Sequence, residues 1–199
     1  MNHLLPIAYL GPIEYYAFLI QKKEITFESQ EHFIKQSIRN RCNIATANGI
    51  QTLSIPKERK SSSKTIISKI NISKNHNWQK EHFNAIQFAY NSSPFFEYYK
   101  DEFEEIYVKN QYNLFDFNLS LTKKMLKLLK TNKEIKITSK YLHIFEGNDL
   151  RNYQFRSNRI SLYPQVFQEK NEFIPNLSIL DLIFNIGPES TEYLKNLSI

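Results

Sequence analysis

The chain has 199 residues, of which 41% are hydrophobic and 23% are charged, proportions that suit a globular protein and exclude a wholly disordered one. A single cysteine excludes an intramolecular disulfide and any zinc or iron–sulfur site that needs several cysteines. The four glycines are too dispersed for a Walker loop or a Rossmann fingerprint. The net charge is +6, but only 6 of the 26 basic residues are arginines, so much of this charge is solvated lysine and does not by itself indicate nucleic-acid binding.

The apolar stretch at residues 4–20 is not a good targeting or membrane segment. It contains Pro6, Pro12 and Glu14, it is short for a membrane span, and no basic region precedes it. A core strand followed by a core helix explains it better. We therefore expect a cytoplasmic protein without a membrane span.

Hydrophobic periodicity predicts strands and helices that alternate along the chain. In chain order, the first predicted elements are a strand over 3–10, a helix over 12–21, a short strand over 25–27, a helical turn within 31–42, a hairpin about Asn48-Gly49 and a strand over 66–72. The later ones are helices over 78–90, 95–107 and 117–130, a strand over 135–142, a loop over 143–161, a strand over 162–167 and a helix over 178–186. This order predicts the α/β class, with a single mixed sheet and helices packed on it in one domain, 1–199. An α+β arrangement is the alternative, because the hairpin implies antiparallel pairing.

Arginine placement is the most informative polar signal, because five of the six arginines fall in two short segments. They are Arg39 and Arg41 in RNRC, and Arg151, Arg156 and Arg159 in DLRNYQFRSNR. The planar guanidinium group binds phosphate or carboxylate in bidentate fashion, which lysine cannot do. The two segments therefore predict a binding site for an anionic small molecule. The alternative is structural pairing, for example of Arg151 with Asp149 or with the acidic face at 102–105.

His82 lies on the apolar face of its predicted helix, one turn from Trp78. It is either a hydrogen-bonded core residue or a general acid–base group, and Trp78 is most simply a core residue. The histidines show no metal-ligand spacing, so we expect neither a metal nor another cofactor. Cys42 follows Arg41, but a buried and inert thiol is the expected state.

Asp181 and Asn185 lie four residues apart in the apolar run LSILDLIFNIG, and so project from one helix face. Two interpretations are open. Asp181 completes a capping box with Ser178, or the carboxylate and the amide face a ligand.

Four blocks of the chain, taken in this order, resemble the WbqC-like family of bacterial proteins. They are YLGPIEYYAFL at 9–19, KQSIRNRC with the NG turn and LSIP at 35–56, NWQKEHFNAI with YNSSPFFEYY at 77–99, and FIPNLSILDLIFNIGPES at 173–190. Near the start, Ile7-Ala8 and Gly11-Pro12 replace the Gln-Pro and Pro-Trp pairs of the wider family. The chain therefore resembles a divergent branch, of the kind found in Bacteroidota.

The resemblance implies a role in the biosynthesis of lipopolysaccharide O-antigen or related envelope sugars. It also marks a set of family-motif positions that we expect to share a site: Arg39, Asn40, Arg41, Trp78, His82, Asp181 and Asn185. We expect the RNRC segment to lie against the WQKEH helix, with Arg39 or Arg41 near His82.

The leading hypothesis is a group transferase that moves an acyl or aminoacyl group to a nucleotide-activated amino sugar. In it, Arg39, Asn40, Arg41, Trp78, Asn185 and Arg151 bind the ligand. His82 is the catalytic base and Asp181 orients it or balances its charge. A non-catalytic binding or scaffold protein of envelope assembly is the alternative, followed by a nucleic-acid binder.

Overall fold

A computed structural model describes residues 2–59, 64–74, 77–108, 111–156 and 160–199. The strands are β1 (Asn2–Pro6), β2 (Glu24–Glu28), β3 (Arg41–Thr46), β4 (Gly49–Ser54), β5 (Ile135–Ile137) and β6 (Asn148–Asp149). The α-helices are α1 (Ile13–Gln21), α2 (Trp78–Tyr90), α3 (Phe96–Val108), α4 (Leu114–Leu128), α5 (Gln168–Asn171), α6 (Ile179–Ile186) and α7 (Ser190–Asn196). Short 3-10 helices cover Ile67–Lys69 and Gly187–Glu189.

Four strands form a parallel sheet in the order β5-β2-β1-β6. Within it, β1 is central, with His3 opposite Ile25 of β2 on one side and Asn148 of β6 on the other. The chain passes from β1 through α1 to β2, whereas β6 joins the opposite edge of β1 from far along the sequence. The strand order therefore changes direction between β1 and β6, and crevices at such points are where open α/β sheets bind ligands.

The predicted hairpin is confirmed as a separate two-stranded sheet. β3 and β4 pair antiparallel from Arg41 opposite Ser54 to Thr46 opposite Gly49. Gly49 has φ +99°, a conformation that glycine adopts readily in a tight turn. The predicted α/β class is also confirmed, although the antiparallel pairing lies in this hairpin and not within the four-stranded sheet.

The most deeply buried helix is α6, whose residues from Ile179 to Asn185 are all buried. Its Phe184 ring lies 5.1–5.2 Å, centroid to centroid, from the rings of Tyr90, Phe96 and Phe103. This contact joins α6 to α2 and α3. No helix within the described ranges is long and apolar enough to cross a membrane.

Three predicted strands differ from the structure. Residues 66–72 hold a 3-10 helix, Ile67–Lys69, flanked by isolated bridges, because Ile67 and Ile70 are buried at a spacing of three. Residues 162–167 form no strand, and the strand predicted at 135–142 is limited to Ile135–Ile137. In the segment predicted as a loop, 143–161, the short strand β6 pairs with β1.

Candidate functional site

A cleft of about 460 Å³ opens at the carboxyl ends of β1 and β6. Pro6 ends β1 at its floor, and the segment Arg151–Arg156 that follows β6 forms one wall. Residues 34–39 and the beginning of β3 form a second wall. Leu10 and Pro12, just before α1, and Ser178, the N-cap of α6, complete the lining.

The cleft is strongly cationic. Its described lining contains five basic residues and no carboxylate. The basic residues are Lys35, Arg39, Arg41, Arg151 and Arg156. The two arginine segments predicted to form one anion site therefore meet here, whereas Arg159 lies outside the described residues.

Arg39 is 3% exposed and is already neutralised. Its Nε donates to Glu31 Oε1 at 2.7 Å and its Nη2 to Glu31 Oε2 at 2.6 Å, a bidentate ion pair. The same Nη2 also donates to the backbone oxygen of Arg151 at 3.0 Å. Most of this guanidinium group is therefore used within the protein.

Arg151 is paired in a similar way, and the structural alternative that matched it with Asp149 is confirmed. Its Nη2 lies 2.6 Å from Asp149 Oδ2, and its Nη1 lies 3.2 Å from Oε2 of the fully buried Glu28. The guanidinium carbon also lies 4.7 Å from the centroid of the Tyr141 ring. The side chain of Arg151 lowers the pKa of Asp149 through its hydrogen bonds.

Arg41 and Arg156 differ from these two arginines. Neither guanidinium group has an ion pair or hydrogen bond to another part of the described chain. The Nε of Arg41 is buried and lacks a hydrogen-bond partner within the described residues. Arg156 is exposed at the end of the other wall. These two groups are free to bind an anion that enters the cleft.

Asn40, predicted to bind ligand, stands outside the cleft lining. Its Nδ2 donates to the backbone oxygen of Ile55 at 3.3 Å and lies 3.4 Å from the Ser54 hydroxyl. The Ile55 amide in turn donates to the Asn40 backbone oxygen at 2.9 Å. Asn40 thus fixes the entry to the β3–β4 hairpin.

His82 and Trp78 belong to a buried aromatic cluster. His82 Nδ1 lies 2.7 Å from the Tyr9 hydroxyl, which lies 2.7 Å from the Tyr107 hydroxyl. The Trp78 ring packs edge-on against His82, with centroids 5.2 Å apart. Burial lowers the pKa of His82 to about 4, and a hydrogen bond to the Ser54 backbone partly opposes this. The imidazole is therefore neutral at pH 7.

The contact between the RNRC segment and the WQKEH helix stays a prediction, although α2 packs on β3 and the Ala45 amide donates to the Tyr90 hydroxyl at 3.3 Å. The Ser54 backbone that meets His82 belongs to the residue opposite Arg41 in the hairpin. The Arg39 side chain is directed to Glu31. His82 does not line the cleft that contains the arginines.

Asp181 is fully buried, and the capping-box interpretation is wrong. The Ser178 amide donates to the Asn43 oxygen at 2.8 Å and not to the Asp181 carboxylate. That carboxylate accepts hydrogen bonds from the Tyr163 hydroxyl at 2.5 Å and from Gln165 Nε2 at 2.8 Å. Burial raises the pKa of Asp181, and the hydroxyls of Tyr163 and Tyr90 oppose this only in part.

Asn185 faces its own helix. Its Nδ2 donates to the Asp181 backbone oxygen at 2.7 Å, one turn earlier. Asp181 and Asn185 are thus adjacent as predicted, but they lie away from the cleft lining. Cys42 is buried, as predicted, and burial raises the pKa of its thiol well above the ordinary range.

Two segments of the chain, residues 8–152 and 144–193, match the model of the WbqC-like protein family. The chain belongs to the WbqC-like family. It is also similar to the uncharacterized protein Rv1507c of Mycobacterium tuberculosis, with 23% identity over 91% of each chain. No solved structure matches the chain.

Sequence reasoning missed the acidic partners of this WbqC-like protein's cleft. Glu28 ends β2 and Glu31 follows three residues later, so both lie at the carboxyl end of the strand next to β1. Their position directly after a predicted strand could have marked these two acids as candidate site residues, because ligands of open α/β sheets bind at the carboxyl ends of the strands. Among the described residues, no group of three or more His, Cys, Asp and Glu side chains is arranged to hold a metal ion.

Proposed function

We propose that this WbqC-like protein binds a phosphate-bearing sugar, specifically a nucleotide-activated amino sugar, in the arginine cleft. The observation that carries the proposal is the contrast among the arginines. Arg39 and Arg151 are neutralised by carboxylates, whereas Arg41 and Arg156 face the same cleft without a partner in the described chain. The guanidinium group of Arg41 is partly buried and unpaired, which is costly to maintain, and an anionic ligand would remove that cost.

The polar groups of the cleft suit a ligand that carries hydroxyls beside its phosphates. Asn152 and Gln154 contribute side-chain amides that make no hydrogen bond to the described chain. The Nδ2 of Asn43 makes no hydrogen bond to the part of the chain that the structure describes, and its Oδ1 accepts from the Thr52 hydroxyl at 2.8 Å. Amides both donate and accept hydrogen bonds, as sugar hydroxyls require. The volume of about 460 Å³ lies in the range of small-molecule sites.

The proposed reaction is transfer of an acyl or aminoacyl group from an activated ester or thioester donor to the amine of the bound sugar, in the cytoplasm, as a step of envelope polysaccharide synthesis. The new amide bond forms as the ester or thioester bond of the donor breaks, and the alcohol or thiol that leaves takes up the proton lost by the amine. The family resemblance implies the envelope-sugar context, whereas the reaction class is our own hypothesis. In this proposal His82 remains the candidate base, whereas Asp181, which is hydrogen-bonded to Tyr163 and Gln165 in a separate cluster, does not support it.

A second candidate is a binding or scaffold protein without catalysis. It is favoured by the positions of His82 and Asp181, which are held in separate hydrogen-bonded clusters outside the cleft lining. Exchange of His82 for Gln separates the two candidates. A catalytic base implies loss of turnover with ligand affinity retained, whereas a binding protein has no turnover to lose.

The binding proposal is tested by titration calorimetry with UDP-N-acetylglucosamine, UDP and inorganic phosphate. We expect Arg41→Gln and Arg156→Gln each to weaken the binding of UDP-N-acetylglucosamine about 10- to 100-fold, the usual worth of a charge-assisted hydrogen bond. Arg59→Gln is the matched control, because it removes the same charge from an exposed position outside the cleft. Equal losses in all three variants, or no binding by the unaltered protein, would refute the proposal.

A further inference from the structure

The two neutralised arginines are joined behind the cleft by one hydrogen bond, from Arg39 Nη2 to the Arg151 backbone oxygen at 3.0 Å. Arg39 belongs to the wall that carries Arg41, and Arg151 begins the wall that carries Arg156. This bond therefore links the two walls directly.

On the first side, Arg39 is held at both ends. Its side chain makes the bidentate pair with Glu31, and its backbone oxygen accepts from Asn118 Nδ2 of α4 at 2.7 Å. A planar guanidinium group with three occupied hydrogen bonds has little freedom to reorient.

On the second side, Glu28 anchors Arg151 and is saturated with donors. Its Oε1 accepts from the Thr138 hydroxyl at 2.6 Å and from the Gln30 amide at 2.9 Å. Its Oε2 accepts from Arg151 Nη1 at 3.2 Å. Glu28 ends β2 and Glu31 follows it closely, so the arginine of each wall is paired with an acid at the end of the same strand.

We infer that Arg39 is a positioning residue, which sets the separation between Arg41 and Arg156 so that both reach one ligand. This inference rests on the proposed function. It replaces the earlier expectation that Arg39 binds the ligand directly. Glu31 is then part of the same device, because it holds Arg39 in the orientation that reaches the Arg151 oxygen.

The two roles predict opposite effects for Glu31→Gln in calorimetry with UDP-N-acetylglucosamine. If Arg39 positions the walls, loss of its carboxylate partner weakens binding by about 10-fold or more. If Arg39 contacts the ligand, removal of the competing carboxylate leaves binding unchanged or tightens it, and the inference is overturned. If Glu31→Gln fails to fold, Glu31→Asp is the second variant, because it keeps the negative charge but shortens the side chain. Weakened binding of UDP-N-acetylglucosamine is again expected only if Arg39 positions the two walls.

A double-mutant cycle gives the second readout. Arg39→Lys keeps the positive charge but loses the bidentate geometry. We expect it to weaken binding in the unaltered protein but to change affinity less than about 3-fold in an Arg156→Gln background, since the group being positioned is then absent. If the loss of affinity in the double variant equals the product of the losses in the two single variants, the inference is overturned.

A ligand-free measurement separates this inference from the proposed function. We expect amide hydrogen exchange over 151–156 to rise about 10-fold in Arg39→Lys relative to Arg59→Lys, because the link to the Arg151 oxygen is lost. Unchanged exchange would contradict the positioning role whether or not the sugar nucleotide binds. Faster exchange in a protein that does not bind it would support positioning and refute only the proposed ligand.

Discussion

The ion pairs of the cleft arginines differ in how far apart their two residues lie along the chain. Arg151 and Asp149 are two residues apart, so their pairing could be anticipated from the sequence, and their side chains meet at 2.6 Å. Glu31 and Arg39 are eight residues apart across a turn, and Glu28 and Arg151 are separated by more than a hundred residues. Only the fold decides such pairs, so which arginines stay free could not be read from the sequence.

His82 makes folding stability depend on pH in the acidic range. Its pKa is about 4 in the folded protein and 6.5 in the unfolded reference, so the unfolded chain takes up the proton first as the pH falls. Stability that is present above pH 6.5 is therefore lost between pH 6.5 and 4, by about 3 kcal/mol for a shift of this size.

Urea unfolding at pH 7, 5 and 4 measures this effect, with His82→Gln as the variant that cannot titrate. The difference between the two proteins isolates His82 from the other groups. A constant difference across this range would show that the imidazole is not held in its neutral form.

Asp181 has the opposite dependence. Burial raises its pKa, so the unfolded chain loses the proton first as the pH rises, and the folded protein loses stability across that window. We expect Asp181→Asn to gain stability relative to the unaltered protein as the pH rises above the ordinary pKa of an aspartate, as measured by chemical denaturation. Because Asp181 lies outside the cleft lining, ligand affinity should stay within about 2-fold. A large loss of ligand affinity in Asp181→Asn would mean that Asp181 does contribute to ligand binding.

Among the elements, those with strong local signals were predicted well. Pro12 before α1, the Asn48-Gly49 turn and Ser178 before α6 each mark a boundary that the structure confirms within a few residues. Segments whose conformation depends on contacts with residues far along the chain were not predicted well. The loop predicted as a strand at 162–167 is held by Tyr163 and Gln165 on the buried Asp181, a contact that no local pattern encodes.

Gly187 ends α6 in a conformation that tolerates no side chain. Its φ is +50°, and an added Cβ would lie 2.5 Å from two atoms of the Phe95 ring. Gly49 also has a positive φ, +99°, but an added Cβ there would meet open space. Substitution by alanine should therefore cost backbone strain at both positions and overpacking at Gly187 alone.

We expect Gly187→Ala to lower the free energy of unfolding by about 1–3 kcal/mol more than Gly49→Ala does, the usual range for overpacking. Urea denaturation of the two variants makes the comparison. Equal losses would mean that the Phe95 ring moves aside without cost.

At the scale of the whole molecule, the α/β class followed from the order of elements, but the position of the site did not. The cleft draws its lining from Pro6 through Ser178, and it exists because β1 pairs with the two-residue strand β6 on the side away from β2. A strand of two residues carries almost no periodicity, so the pairing that creates the crevice was invisible to pattern analysis.

The long return to β1 has a consequence during protein synthesis. β1 cannot acquire its β6 neighbour until residues 148–149 are made, and Leu10 cannot accept its bond from the Ser178 hydroxyl until still later. At a synthesis rate of roughly 5–20 residues per second, the interval between the synthesis of β1 and that of β6 lasts on the order of 10 to 30 s. Throughout it, one edge of the apolar strand with Leu4 and Leu5 stays unpaired and open to chaperones or to a neighbouring nascent chain. The cleft is completed only after residue 178 has emerged.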